Sequence, residues 1–473
     1  MTAADHSPLP APQALPPGKD TARDGDLIPF RQALKTWFSI SLQTFGGPAG
    51  QIAVMQRTLV EDKRWIGQQR FNHALSYCML LPGPEAQQLA IYTGWLLNGT
   101  RGGLAAGTLF VLPGVLALLA LSAIYVAFGT TAAVTGLFAG LAPAVVAIVA
   151  QAVWRVGRRS LTHPALIALA VASFAALALF AVPFPLVIIL AAVIGWLLAR
   201  FAPHMLKPAT AHGKDDGPAP LIPDDALHHE APRRRRTVRI LLVGLVLWAL
   251  PVAAVAVLTG TGSVFTGQGL FFSGTALVTF GGAYAVLAYV AQQAVQHYGW
   301  LSAGEMVRGL ALAETTPGPL IMVVQFVAFL GAYRDPGSLD PWAAALLGAL
   351  LTTWVTFVPC FLFIFLGAPH IERLRGNRSV SAALTGITAA VVGVIANLAL
   401  YFAEHTLFRT VDTFTAGPLH LALPDLTTLR PTALVITAVA VLLIFSVRWS
   451  VLRTLGICAA LGLVAALTDL PGI

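Results

Sequence analysis

The chain has 473 residues, of which 57% are hydrophobic and 11% are charged, with a mean hydropathy of +0.76. A soluble protein carries roughly 25% charged residues, so the composition excludes an ordinary soluble enzyme and indicates an all-α polytopic membrane protein. The net charge is +8, but the basic residues gather at the ends of apolar runs, which suits anchoring on an anionic leaflet and argues against a nucleic-acid partner.

Residues 1–29 are rich in Pro, Ala and charge and lack an apolar core beside a cleavage site, so a disordered cytoplasmic tail is expected rather than a cleaved signal peptide. A helix needs roughly 20 apolar residues to cross a bilayer. Candidate segments are 31–56, 71–97, 104–128, 132–154, 162–181 and 184–200, which form a first unit over 30–201. A Pro-rich basic stretch, 202–237, reads as a cytoplasmic linker carrying Arg233 to Arg236. An extra span falls within 238–262, and a second unit over 263–473 offers 268–296, 304–332, 341–367, 380–402, 430–447 and 450–468. Cys78, Cys360 and Cys458 lie apart in apolar runs and read as small core residues.

The two units are copies. Phe45-Gly46-Gly47, Trp65 and Pro82-Gly83-Pro84 return 235 residues later as Phe280-Gly281-Gly282, Trp300 and Pro317-Gly318-Pro319. The register then shifts to 246, where Pro113 meets Pro359, Gly140 meets Gly386 and Ala144-Val145-Val146 meets Ala390-Val391-Val392. Six segments, one extra span and six more place the halves antiparallel, an inverted repeat of about 13 membrane segments. Most basic residues fall on the proposed inner side. The 57–70 loop disagrees, since full spans place it outside although it holds Arg57, Lys63, Arg64 and Arg70. A second topology removes the conflict: the first two segments of each half are re-entrant hairpins that return to their own side. Both topologies stay open at this point.

Proline cannot donate a backbone hydrogen bond and disfavours helix in the residue before it, so Pro-Gly-Pro breaks the second segment of each half. The helix restarting after a break offers free N–H groups and the positive end of its dipole to an anion. Glu85 and Glu314 are the ionisable residues well inside the apolar segments, each beside a break, and are candidates for proton carriers. Gln87, Gln88, Gln325 and Asn397 are further polar candidates, against the simpler reading that such amides pack between helices.

At these residues the chain resembles the chromate ion transporter family in its long, two-domain form. The resemblance rests on Phe45-Gly46-Gly47-Pro48, Glu61 to Trp65, and Leu81-Pro82-Gly83-Pro84 with Gln87. In the second half it rests on Phe280-Gly281-Gly282 and Thr316-Pro317-Gly318-Pro319 with Gln325. It implies export of chromate across a bacterial inner membrane, chromate resistance, sulfate as competing anion, and oppositely oriented halves with a cytoplasmic N-terminus. Glu85 departs from the small residue expected after Pro-Gly-Pro in many members. Lys35, Arg57, Lys63, Arg64 and Arg308 are the cations nearest the motifs in sequence, although such residues often snorkel to headgroups. Transport of sulfate, another anion or a phosphate-linked lipid is the alternative. Protons are a candidate coupling ion and a homodimer a candidate assembly. With no GxxxxGK[ST] site and no metal-ligand spacing, neither an enzyme nor a cofactor is expected.

Overall fold

A computed structural model describes residues 27–45, 47–201, 220–222, 234–280, 282–367 and 378–468. The expected tail over 1–26, Gly46, Gly281 and most of the linker lie outside the described residues. The first half contains α1 (Phe30–Ser41), α2 (Gly47–Gln56, ending in a π turn), α3 (Gln68–Cys78), α4 (Glu85–Phe128), α5 (Ala132–Ser160), α6 (Pro164–Phe180) and α7 (Phe184–Phe201). Helix α8 (Arg234–Thr259) follows, so helical geometry reaches into the arginine run. The second half contains α9 (Val264–Val278), α10 (Ala283–Gln292, also with a π turn), α11 (Ala303–Thr315), a 3₁₀ turn (Leu320–Met322) and α12 (Val323–Arg334). It continues with α13 (Pro341–Gly367), α14 (Arg378–Leu407), α15 (Pro431–Val441) and α16 (Val451–Leu467). Among the described residues, six helices are long and apolar enough to cross a membrane. The other apolar helices are shorter.

Local chemistry accounts for several boundaries. Ser263 caps α9 through the Thr266 N–H, and Ser302 and Glu305 form a reciprocal capping box at the start of α11. Helix α6 begins at Pro164, with the His163 ring accepting from the Ala165 N–H. The single element α4 merges two expected segments across a kink, where Gly99 takes φ +60° and Asn98 leaves the helical region. The stretch 403–429, between the expected segments 380–402 and 430–447, contains regular structure. Helix α14 runs on to Leu407, and β1 (Val411–Ala416) pairs antiparallel with β2 (Leu419–Pro424). With two isolated β-bridges, Ile66 to Ile222 and Phe408 to Leu429, this hairpin departs from the otherwise all-α structure of the described residues.

The motif-bearing segments are each broken, and three of them visibly double back. A straight helix from Glu305 to Arg334 would separate the two by about 44 Å at 1.5 Å per residue, yet their side chains form an ion pair at 2.5 Å. Arg70, at the start of α3, donates to the Tyr92 hydroxyl in the first limb of α4 at 3.2 Å. Phe271 of α9 meets Tyr289 of α10 at 5.5 Å between ring centroids, and Phe272 stacks on Trp300 at 5.8 Å. For α1 and α2, the loop after them pairs with the linker instead: Leu221 N–H donates to Arg64 O at 2.9 Å, and Gly67 N–H to Ile222 O at 3.0 Å. That loop and residues 220–222 therefore lie side by side.

The long helices pack by close approach of small residues. A side-chain carbon on Gly140 of α5 would lie 1.8 Å from the Cys458 carbonyl of α16. Its repeat mate, Gly386 of α14, would strike the Ala191 carbonyl of α7 at 2.3 Å. The same crossing thus occurs twice with the halves exchanged.

Candidate functional site: four helix breaks around one cavity

The four breaks meet in the middle of the fold. The Gly83 N–H in the first Pro-Gly-Pro donates to the Thr279 carbonyl before the second Phe-Gly-Gly, at 2.8 Å. The Gly318 N–H in the second Pro-Gly-Pro donates to the Thr44 carbonyl before the first Phe-Gly-Gly, at 2.9 Å. Gly83 and Gly318 are repeat mates, as are Thr44 and Thr279, so the two bonds are one contact made twice with the halves exchanged. Gly83 and Gly318 hold φ +118° and +108°, a region that side chains disfavour. Gly114 of α4 lies against the Pro317 carbonyl, and Cys360 of α13 lies against Gly83. Those two residues are again mates at a separation of 246.

Around these bonds lies a cavity of roughly 10 Å³ lined by Pro48, Gln51, Gly83 to Ala86, Gly282, Ala283 and Pro319 to Ile321. This is about the room for one water molecule. Its wall contains the first residues of α2, α4, α10 and the 3₁₀ turn leading into α12. A helix start leaves its first N–H groups without intrahelical acceptors. Four such starts converging on one point create a donor-rich, positively polarised site without a cationic side chain. Tetrahedral oxyanions, with acceptors in every direction, match that arrangement.

The carboxylates behave differently from each other. Glu85 lies in the cavity wall at the first turn of α4. Glu314 is 2% exposed and is not in the cavity wall; it accepts a hydrogen bond from the Tyr284 hydroxyl at 2.5 Å. Its second oxygen is buried with no partner among the described residues. Gln51 donates to the Gly318 carbonyl at 2.5 Å and Gln88 to the Pro82 carbonyl at 2.6 Å, so both clamp a break. Gln87 and Gln325 are buried with unpartnered amides and do not reach the cavity. Asn397 lines a separate cavity of about 330 Å³ beside the β-hairpin.

The structure puts none of the five candidate cations in the cavity wall. Lys35 is exposed on α1; Arg57 is exposed and donates to Gln43 at 3.1 Å; Lys63 sits over the Trp65 ring at 5.2 Å. Arg64 belongs to the loop that pairs with the linker, and Arg308 donates to the Tyr125 hydroxyl at 3.1 Å. Trp65 and Trp300 are 6% and 7% exposed, which makes them packing residues rather than interface anchors. Phe45 and Phe280 are partly buried beside their breaks. Sequence reasoning missed Thr44, Thr279, Gln51 and Tyr284. The two threonines carried a signal, since Thr-Phe-Gly-Gly recurs whole at 235 residues; Gln51 and Tyr284 have no identical mate.

The family model described as "Chromate transporter" matches residues 31–196 and 268–463, once in each half. A chromate transport protein of Pseudomonas aeruginosa is 31% identical over 410 residues, covering 85% of this chain and 88% of that protein. One from Cupriavidus metallidurans is 27% identical over 387 residues, covering 80% and 84%. An uncharacterized transporter of Methanocaldococcus jannaschii is 24% identical over 368 residues, covering 78% and 83%. No solved structure matches the chain. A duplicated, helix-rich chain whose two copies both match one transporter model is a membrane transporter rather than an enzyme, and it belongs to the chromate transporter family.

Proposed function

We propose that this protein is a secondary transporter that exports chromate from the cytoplasm through the cavity between the four helix breaks, with sulfate competing for the same site. The observation that carries the reading is the pair of exchanged bonds, Gly83 to Thr279 and Gly318 to Thr44, surrounded by four helix starts. A cavity sized for one water corresponds to a closed state. Loading a dianion requires the halves to part at those two bonds, and exchanging which side opens gives alternating access.

The doubled-back segments support re-entrant hairpins over full spans. On this reading α4's second limb, α5 to α8 and α13 to α16 cross the membrane, nine in all, and four hairpins complete thirteen segments. The odd crossing, α8, inverts the second half. The arginine-bearing linker and the 57–70 loop then share the cytoplasmic side, in accord with their contact and their charge. The N-terminus is also cytoplasmic, in the inner membrane. A negative interior favours outward movement of a dianion by about twice 2.3 kcal/mol per 100 mV, so no nucleotide is required.

Uptake of labelled chromate into inverted vesicles, with potential and pH gradient imposed separately, tests the proposal. Potential-driven accumulation, inhibited by excess sulfate, is the expected result. Accumulation of sulfate with no chromate uptake would replace chromate as the substrate, and uptake in neither case would overturn the reading.

A further inference from the structure

A second charged cavity lies apart from the breaks. It has a volume of about 70 Å³ and is bordered by α5, α11, the end of α14 and the start of α15. Two guanidinium groups line it, Arg308 from α11 and Arg430 just before α15, together with Thr135, His405 and Thr406. No Asp or Glu is in its wall. Arg308 donates to the Tyr125 hydroxyl, which in turn donates to Glu305 Oε1 at 3.3 Å, and it lies over the Phe138 ring at 5.9 Å, while Glu305 itself is paired with Arg334. The Nε of Arg430 and the hydroxyl of Thr406 are both buried with no hydrogen-bond partner among the described residues. The charges of Arg409 and Arg308 act on Arg430 through space.

Two partly buried cations on one cavity with no carboxylate in its wall are unfavourable unless something negative joins them there. A neutral protein group could not supply that charge. The planar fork of arginine matches an oxyanion edge, and a buried threonine hydroxyl adds one more donor. About 70 Å³ accommodates several water-sized volumes of roughly 10–15 Å³ each, enough for the five heavy atoms of a tetrahedral ion.

We infer that Arg308, Arg430 and Thr406 form a second binding site for a free divalent tetrahedral oxyanion, distinct from the cavity at the helix breaks. The site sits on the face that holds the β-hairpin and the Glu305–Arg334 pair, the outer face in the proposed topology. It would hold an anion that has left, or has yet to enter, the central path. The inference rests on the oxyanion reading of the protein, though not on its direction or coupling. An anionic lipid headgroup would present the same chemistry; the small volume, room for little more than one tetrahedral ion, favours the free ion.

The test is equilibrium binding of labelled sulfate and of chromate to the full-length protein in maltoside detergent, stripped of lipid and phosphate. Arg430→Gln and Arg308→Gln should each weaken binding about tenfold, the loss of one charge-assisted contact. Arg430→Lys should lose about threefold, and Thr406→Val less than either glutamine variant. Thr406→Val and Arg430→Lys keep the test decisive if a glutamine variant fails to fold. Wild-type affinity in a folded Arg430→Gln, or no oxyanion binding by the wild type, would overturn the inference. So would displacement of the oxyanion by one equivalent of phosphatidylglycerol, which would make the occupant a headgroup. Arg430-dependent binding in a protein that moves no chromate in vesicles would sink the proposed function and leave this site standing.

Discussion

The Gly83 N–H donates to the Thr279 carbonyl at 2.8 Å, and the mates of these two residues, Gly318 and Thr44, repeat the bond at 2.9 Å with the halves exchanged. Each half thus closes the break of the other. In the proposed alternating-access cycle, these two exchanged bonds are the contacts that part, one toward each face.

Side chains at the break glycines should abolish transport without blocking insertion. Gly282 holds φ +107° and ψ 161°, a region essentially restricted to glycine, although a Cβ there would meet no atom within 4 Å. Gly282→Ala should therefore cost about 1–3 kcal/mol of backbone strain and lower chromate flux at normal protein levels. Gly83→Val adds a steric conflict with Cys360 and Gln88 and should be worse. Unchanged flux in both variants would remove the breaks from the mechanism. Gly46 and Gly281 lie outside the described residues; leucine at either position should have the same effect.

The proposed hairpin topology makes a prediction for the sides of two loops. In a background without Cys78, Cys360 and Cys458, Gln68→Cys should be shielded from an impermeant thiol reagent added to intact cells. Ser302→Cys should be labelled by it. The opposite pattern is what full spans require, since they place the 57–70 loop outside and the 297–303 loop inside.

Glu305 and Arg334 hold the two ends of the α11–α12 hairpin together, with Arg334 also donating to the Trp300 carbonyl at 3.2 Å. Glu305→Gln leaves the cap oxygen but removes the charge. A loss of about 1 kcal/mol is expected, seen as a lower melting temperature in detergent. If the melting temperature is unchanged, the pair contributes nothing to holding the hairpin closed.

The two carboxylates beside the breaks should differ in their effect on coupling. Glu314 is buried with one free oxygen and a Tyr284 hydroxyl on the other, a geometry suited to taking up and releasing a proton. Glu314→Gln should remove the response of transport to a pH gradient while the response to membrane potential survives, since the latter acts on the substrate's charge. Glu85, among the free N–H groups at the start of α4, should change the pH response less when made glutamine. An unaltered pH profile in Glu314→Gln would leave that residue structural.

The amino-acid sequence by itself determined the apolar segments, the duplication and the position of the four motif breaks. These follow from rules that act locally: apolar length sets a span, and Pro-Gly-Pro removes the donors a helix needs. The kink at Asn98–Gly99 and the hairpin after Leu407 escaped it, because turns of that kind depend on what the chain packs against. Only the tertiary structure decided which break meets which. Nothing in Thr44 or Gly318 names its partner, as backbone N–H and carbonyl groups are the same at every residue. It also decided that α11 returns on α12, through the pairing of Glu305 with Arg334. Finally, it set Arg308 beside Arg430, 122 positions apart in the chain and close only because α11 and α15 border the same cavity. Side-chain chemistry is written in one dimension, whereas the electrostatic sum over neighbours exists only once the helices have been packed.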